Sequence, residues 1–197
     1  MKKWIVYTFL LTSFTSIGGI FWYQEFIYSL PTPVPNEYIQ VNVGDRIHLD
    51  ENLKTSSKPQ FIHFFNPDCP CSKFNISHFK SLVKKYDDHL DFSVVVLTKD
   101  EKHTSESIRE KFDLPIQVSF DQEIAKSCGV YSTPQAAIVA DGKLYYRGNY
   151  NKSRYCTEKN SNYAEMAIDS LMNKTSDPDF NSYALVSYGC SLPTCKQ

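Results

Sequence analysis

The stretch QFIHFFNPDCPCSKF (residues 60–74) decides the fold, because an apolar run of strand length leads directly into two cysteines and the start of a helix. The run QFIHFF ends at a turn containing Pro67 and predicts a buried central strand. Over residues 71–86 the apolar side chains fall largely on one face, which predicts an amphipathic helix. The closely spaced pair Cys69 and Cys71 therefore lies where a strand gives way to a helix.

The rest of the chain alternates between strand and helix patterns. Further strands are predicted at residues 90–98 and 136–140, and a β-hairpin forms around the Asp141-Gly142 turn. Further helices are predicted at residues 105–112, 122–128 and 162–172. This order predicts an α/β fold, with a parallel core sheet, an antiparallel edge and helices packed on the sheet.

The N-terminus carries a membrane signal. Lys2 and Lys3 precede residues 4–23, which contain no charge and have about the length that a helix needs to cross a bilayer. The flanking aromatics and the lysines predict a single-pass anchor with a cytoplasmic N-terminus and an extracytoplasmic domain, in the periplasm or at the cell surface. A cleaved secretory signal is the alternative, although no small-residue cleavage site follows Ile20.

The 197 residues divide into four predicted parts. These are an anchor or signal at 1–28, a proline-rich spacer at 29–40, an α/β domain at 41–174 and a cysteine-containing C-terminal extension at 175–197. The net charge of −1 and the lack of a basic stripe exclude nucleic acid as an expected partner.

The chain contains six cysteines, and in an exported domain paired cysteines are expected because disulfides persist outside the cytosol. Cys190 and Cys195 enclose Ser-Leu-Pro-Thr, whose proline favours a turn, so a local Cys190–Cys195 disulfide is the first expectation. The pairing of Cys128 and Cys156 stays open, since spacing alone cannot choose among the possible pairings.

The order of elements and three local motifs resemble the thioredoxin fold, specifically the redoxin branch that contains membrane-anchored thiol-disulfide oxidoreductases. The motifs are the cysteine pair after a central strand, Thr133-Pro134 just before the hairpin, and the hairpin with its final helix. The resemblance covers roughly residues 41–173. It implies a central mixed sheet flanked by helices, a cis proline at Pro134, and a role for Thr133 and Pro134 in seating a partner chain.

Two features depart from the family pattern. Only Pro70 separates Cys69 from Cys71, where the family has two intervening residues, and Ser72 stands at the usual second-cysteine position. The residue before the first cysteine is Asp68 rather than an aromatic. The motif is therefore off-centre for a standard dithiol exchanger.

The predicted function is thiol-disulfide exchange with the cysteines of exported proteins, with Cys69 and Cys71 as catalytic residues and no cofactor. A helix N-terminus stabilises a thiolate, and Cys69 is the better placed of the two to gain from it. A Cys69–Cys71 disulfide closes a small ring and is expected to be easily reduced. Cys71 as the attacking thiol, with Cys69 resolving, remains open.

Three other functions are compatible with the same residues. Sco-type copper chaperones share the redoxin fold, and copper(I) prefers thiolate and imidazole ligands, so Cys69, Cys71 and His78 form an alternative metal site. A peroxiredoxin-like peroxidase needs an arginine beside the thiolate, and Arg109, Arg147 and Arg154 are the candidates. A non-catalytic interaction domain would use its cysteines only as structural links.

Overall fold

The computed structural model describes residues 2–49, 53, 56–174 and 180–192. The helices, in chain order, are α1 (Lys2–Ser29), α2 (Pro70–Phe74), α3 (Ile76–Tyr86), α4 (Ser105–Phe112), α5 (Gln122–Ser127), α6 (Tyr163–Asn173) and α7 (Ser182–Leu185). The strands are β1 (Gln60–Phe65), β2 (Asp91–Val96), β3 (Gln117–Ser119), β4 (Ser132–Thr133), β5 (Gln135–Ala140), β6 (Lys143–Gly148) and β7 (Cys190–Ser191).

Five strands form one mixed sheet in the order β3-β2-β1-β5-β6. β1 and β2 run parallel, as do β2 and β3, whereas β5 pairs antiparallel with β1 and β6. The expectation of a thioredoxin-like α/β fold with a central mixed sheet is confirmed. β4 stands outside this sheet and pairs antiparallel with β7 in a separate two-stranded ladder.

β1 is the central strand, and all six of its residues are buried. Its side chains alternate between the two faces of the sheet, as the two-residue period of a strand requires. Phe61 and Phe65 join the larger core cluster, together with side chains of α3, α4 and α6, whereas Ile62 and Phe64 join the smaller cluster. The cysteine motif therefore begins at the end of a strand that is fixed by packing on both faces.

The helix predicted over residues 71–86 is broken into two. α2 ends at Phe74, and the N–H of Asn75 donates to the carbonyls of Lys73 and Ser72 instead of continuing a regular helix. α3 then starts at Ile76 and buries Phe79, Leu82 and Tyr86 in the core. Phe74 belongs to the apolar pattern of residues 71–86, but it is 42% exposed and packs against the ring of Tyr155.

The N-terminal helix α1 is long and apolar enough to cross a membrane over Lys3–Ile27, judged by length and composition. Beyond it, the proline-rich spacer touches the domain. Thr32 is buried, and its N–H donates to the carbonyl of Ser187 at 2.8 Å. The spacer and the C-terminal extension are therefore in direct contact.

The C-terminal extension packs back onto the domain over residues 180–192. The side-chain amide of Asn149 donates to the carbonyls of Tyr183 and Val186, at 2.8 and 2.6 Å. Gly148 makes room for this segment, because an added Cβ would lie 2.2 Å from the carbonyl oxygen of Ala184. These contacts carry the chain from α7 to β7 and place Cys190 beside the cysteine motif.

Candidate thiol-disulfide site

The loop between β1 and α2 is held by its own polar groups. The N–H of Asn66 donates to the hydroxyl of Ser72 at 3.3 Å, and the side-chain oxygen of Asn66 accepts from the N–H of Asp68 at 2.9 Å. The N–H of Cys69 donates to the carbonyl of Asn66 at 3.1 Å. Ser72 is buried, so at the family's second-cysteine position this chain has a hydroxyl that ties the end of the strand to the helix.

Cys69 is the N-cap residue of α2, although its side chain makes no capping hydrogen bond, and Pro70 occupies the first turn of the helix. The neighbouring Asp68 carries the nearest carboxylate. Burial alone would raise the pKa of Asp68, but hydrogen bonding and the charge of His103, together with Lys102, hold it below its usual value. The Asp68 carboxylate beside the cysteines is therefore engaged by His103 Nε2 at 3.1 Å and by Lys102 Nζ at 3.6 Å.

Cys69 is bonded to Cys190, across a sequence separation of 121 residues. The prediction of a local Cys190–Cys195 disulfide is therefore wrong: β7 carries Cys190 to the cysteine motif, and Cys195 lies outside the described residues. Cys71 keeps its thiol, so the Cys69–Cys71 bond is not formed in this state. The three sulfur atoms lie within 4.8 Å of one another, and all three residues are buried.

The Thr133–Pro134 segment forms the wall of this site. Its peptide bond is cis, as the resemblance implies. Thr133 of β4 pairs with Cys190 of β7, and Pro134 lines the same cavity as Cys71. Four residues that the sequence singled out (Cys69, Cys71, Thr133 and Pro134) are therefore brought together with Cys190, which the sequence had assigned elsewhere.

A cavity of about 390 Å³ opens beside Cys71. Its lining includes Cys71, Asn75, Pro134, Arg154, Cys156 and Gly189. The thiol of Cys156 donates to the side-chain oxygen of Asn75 at 2.7 Å, and burial raises the pKa of Cys156 to about 12. Cys156 is therefore a protonated thiol at neutral pH, and it is a poor nucleophile although it lies on the same cavity.

Three other side chains from the sequence analysis make their contacts elsewhere. Arg109 and Arg147 bond the backbone carbonyls of Ile116 and Gly129, which leaves Arg154 as the peroxidase candidate on this cavity. Within the described residues, His78 is not in the group of metal-ligand atoms that contains the cysteines. Its ring lies edge-on to Tyr150.

Comparison with known proteins identifies the family. The family model described as "Domain of unknown function (DUF6436)" matches residues 40–192. The chain belongs to the DUF6436 family. The match includes the cysteine motif, the Thr133–Pro134 segment and Cys190, so all three sulfur atoms lie within the family domain. A comparison with curated proteins gives no match.

Solved structures similar to this DUF6436 protein share its fold. A hypothetical protein, SMc02350 from Sinorhizobium meliloti 1021, is 15% identical with a TM-score of 0.64, covering 79% of this chain and 96% of its own. An uncharacterized conserved protein from Geobacillus kaustophilus is 21% identical with a TM-score of 0.61, covering 84% and 98%. A thioredoxin-like protein solved in its oxidised form is 18% identical with a TM-score of 0.48, covering 74% and 98%. The first two similarities show the fold.

A buried histidine lies on β1, the strand that leads into the cysteine motif of this DUF6436 domain. His63 is fully buried on β1, stacks on Phe79 and shares a 2.6 Å hydrogen bond between Nδ1 and the hydroxyl of Tyr150. Burial, with a smaller contribution from His78, lowers the pKa of His63 to about 3. His63 is therefore neutral at physiological pH, and it packs as a core residue rather than as an acid or base of the site.

The low pKa of His63 predicts acid sensitivity. In the unfolded chain this histidine titrates near 6.5, so between pH 6.5 and about 3 the unfolded state binds one more proton than the folded state. The free energy of unfolding should fall by up to about 1.4 kcal/mol for each pH unit below 6.5. In His63→Asn, which keeps a hydrogen-bonding group beside Tyr150, we expect lower stability at neutral pH and a flatter slope from pH 6.5 to 4, measured by urea unfolding.

The exposed His89 provides the matched site for a control histidine-to-asparagine substitution. An unchanged slope in His63→Asn would show that other groups cause the acid sensitivity.

Proposed function

We propose that this protein is a membrane-anchored, extracytoplasmic thiol-disulfide oxidoreductase that exchanges disulfides with the cysteines of exported proteins. One observation carries the proposal: the Cys69–Cys190 disulfide lies with the Cys71 thiol within 4.8 Å, beside the Thr133–Pro134 segment. A thiolate attacks a disulfide sulfur and displaces the other, so three sulfurs at this separation form the minimum set for exchange.

The roles of the cysteines follow from their places. Cys69 is the shared sulfur, because it caps α2 and holds a bond to a cysteine on another segment. Cys71 is the second residue of α2, two residues after Cys69, and is the resolving thiol that attacks Cys69 and releases its partner. Thr133 and Pro134 seat the partner chain, as the pairing of β4 with β7 suggests. The apolar helix α1 supports the anchored, extracytoplasmic location.

The test is a redox titration of the full-length protein in detergent, with differential alkylation and mass spectrometry across glutathione buffers. We expect Cys69, Cys71 and Cys190 to change labelling reversibly over one range of potentials. Cys128 is the internal control: burial raises its pKa to about 12, and it lies in the smaller core cluster, so its labelling should stay constant. Permanent oxidation of Cys69 and Cys190 in every buffer would contradict the proposal and favour a structural link.

Copper(I) handling is the second candidate, and the clustering of three cysteines favours it. Three thiolates within 4.8 Å suit a soft metal once the disulfide is reduced, with Cys190 in the place that the sequence gave to His78. The same titration, repeated on the reduced protein with copper(I), separates the two functions. Stoichiometric copper that blocks alkylation of all three cysteines would favour a chaperone.

A further inference from the structure

The C-terminal segment 187–192 lies along β4 as an added strand. Ser191 pairs with Ser132 and Cys190 with Thr133, in antiparallel register. The N–H of Leu192 extends the ladder by donating to the carbonyl of Tyr131 at 3.2 Å. The segment therefore binds β4 through its main chain, while its cysteine side chain reaches Cys69.

The proline-rich spacer forms hydrogen bonds with the backbone of this segment through Thr32. The hydroxyl of Thr32 donates to the carbonyl of Gly189 at 2.9 Å and accepts from the N–H of Gly189 at 3.0 Å. The N–H of Thr32 also donates to the carbonyl of Ser187. These contacts, like those with β4, are made to backbone N–H and C=O groups of the segment rather than to its side chains. A groove binds an extended peptide in the same way.

At one position of the segment, binding in this register depends on the identity of the residue. Gly189 is buried against the Thr133–Pro134 peptide, and an added Cβ would lie 2.4 Å from the carbonyl oxygen of Thr133 and 3.0 Å from its carbonyl carbon. Real Cβ atoms do not approach backbone this closely, so a larger residue would push the strand out of the groove. The residue before the reacting cysteine must therefore be glycine if the strand is to keep this register.

We propose that residues 187–192 occupy the groove in which this protein binds a cysteine-bearing strand of its substrate, and that the groove selects strands with glycine immediately before that cysteine. The inference rests on the proposed function and adds the class of substrate. The Cys69–Cys190 disulfide then has the place of the mixed disulfide between Cys69 and a substrate cysteine. Residues 187–192, called the tail below, must leave the groove before a substrate can enter.

The release step balances without an external oxidant or reductant. The thiolate of Cys71 attacks Cys69, a Cys69–Cys71 bond forms, and the Cys69–Cys190 bond breaks. The electron pair stays on the sulfur of Cys190, which takes up the proton that Cys71 lost. The disulfide has moved, no net oxidation has occurred, and the tail is held only by its hydrogen bonds.

A substrate thiolate then attacks Cys69, and Cys71 departs as a thiolate. A second substrate thiolate attacks the substrate sulfur of this mixed disulfide and displaces Cys69 as a thiolate. The substrate dithiol has lost two electrons and two protons, and the Cys69–Cys71 disulfide has gained them. The reverse sequence reduces a substrate disulfide through the same mixed intermediate.

The experiment uses full-length, reduced protein in detergent, carrying Cys190→Ser so that the tail cannot bond. Two peptides are compared, Ser-Tyr-Gly-Cys-Ser-Leu and Ser-Tyr-Ala-Cys-Ser-Leu, each with its cysteine as a mixed disulfide with thionitrobenzoate. Attack by Cys69 on the peptide sulfur releases coloured thionitrobenzoate. We expect the glycine peptide to react about tenfold faster or more, because the alanine Cβ meets the Thr133 carbonyl.

A matched pair of variants tests whether the tail competes for the groove. Gly189→Ala places a Cβ against the Thr133 carbonyl and so displaces the tail without altering the groove, whereas Tyr188→Phe keeps the main chain of the tail and its ring packing. In the same Cys190→Ser background we expect Gly189→Ala to raise the rate of the glycine peptide about fivefold, and Tyr188→Phe to leave it unchanged. Ellman's reagent, which has no strand to pair, should react with Cys69 at similar rates in all variants.

The outcomes separate the two proposals. Equal rates for the two peptides, with normal reaction of Ellman's reagent, would overturn the glycine selection and leave the oxidoreductase proposal standing. Failure of Cys69 to react with any of the three reagents would overturn both.

A second measurement needs no substitution: chymotrypsin should cleave after Tyr188 at least tenfold faster in the reduced wild-type protein than in the oxidised protein. Equal cleavage rates would show that the tail does not leave the groove.

Discussion

Cys69→Ser is expected to lower the rate of disulfide exchange to that measured without protein. Cys69 is the sulfur that holds Cys190 in the structure and the one that Cys71 must attack, so every bond change in the proposed cycle passes through it. A serine hydroxyl does not ionise near neutral pH and forms no disulfide. The measurement is the reduction of insulin disulfides by dithiothreitol, catalysed by full-length protein in detergent.

The same variant has a second, independent readout. Because the Cys69–Cys190 bond cannot form, mass mapping without reductant should find Cys190 as an alkylatable thiol or bonded to Cys71, whereas in the oxidised wild type it is bonded to Cys69.

Cys128→Ala is the matched control for loss of a buried cysteine. Cys128 packs in the smaller core cluster, away from the three sulfurs, and burial holds its pKa at about 12. This variant should lose some stability from the small cavity that it leaves, while its exchange rate per folded molecule stays that of the wild type. Full activity in Cys69→Ser would instead identify Cys71 as the attacking thiol.

The sequence predicts the local parts of this site because local patterns determine them. The apolar run of β1 is bounded by a proline turn, and Pro70 fits the first turn of a helix, so the position of Cys69 follows from neighbouring residues alone. The cis Thr133–Pro134 peptide is what the resemblance implies for a proline placed just before the hairpin. Each of these features depends on interactions within a few residues of the chain.

The features that the sequence analysis missed depend on distant contacts. Cys190 meets Cys69 across 121 residues, and the tail between α7 and β7 has no periodic pattern that would reveal its docking. The local spacing of Cys190 and Cys195 therefore suggested the wrong partner. The one signal that points to this docking is the glycine directly before Cys190, whose requirement is visible only against the Thr133 carbonyl. β3, with three residues, is likewise defined by its pairing with β2 rather than by its own sequence.

Cys71→Ser is expected to trap the disulfides of Cys69. In the oxidised wild type the Cys71 thiol lies within 4.8 Å of both sulfurs of the Cys69–Cys190 bond, so it can move the disulfide to Cys69–Cys71 and release Cys190. Serine cannot attack, so this internal release should fall at least a hundredfold. The measurement is the labelling of Cys190 by a maleimide in the absence of reductant, followed by mass spectrometry that distinguishes labels on Cys71 and Cys190.

The trap should also hold substrates. When the Cys71→Ser protein is reduced and then offered a protein disulfide, Cys69 can form a mixed disulfide that no neighbouring thiolate resolves, so the adduct should accumulate on a non-reducing gel while wild-type protein shows little. Cys156→Ser is the matched control, because it removes another thiol from the same cavity. With a pKa raised to about 12, Cys156 has almost no thiolate at neutral pH, and its loss should change neither tail release nor adduct formation. Release of Cys190 at the wild-type rate in Cys71→Ser, together with slow release in Cys156→Ser, would transfer the resolving role to Cys156.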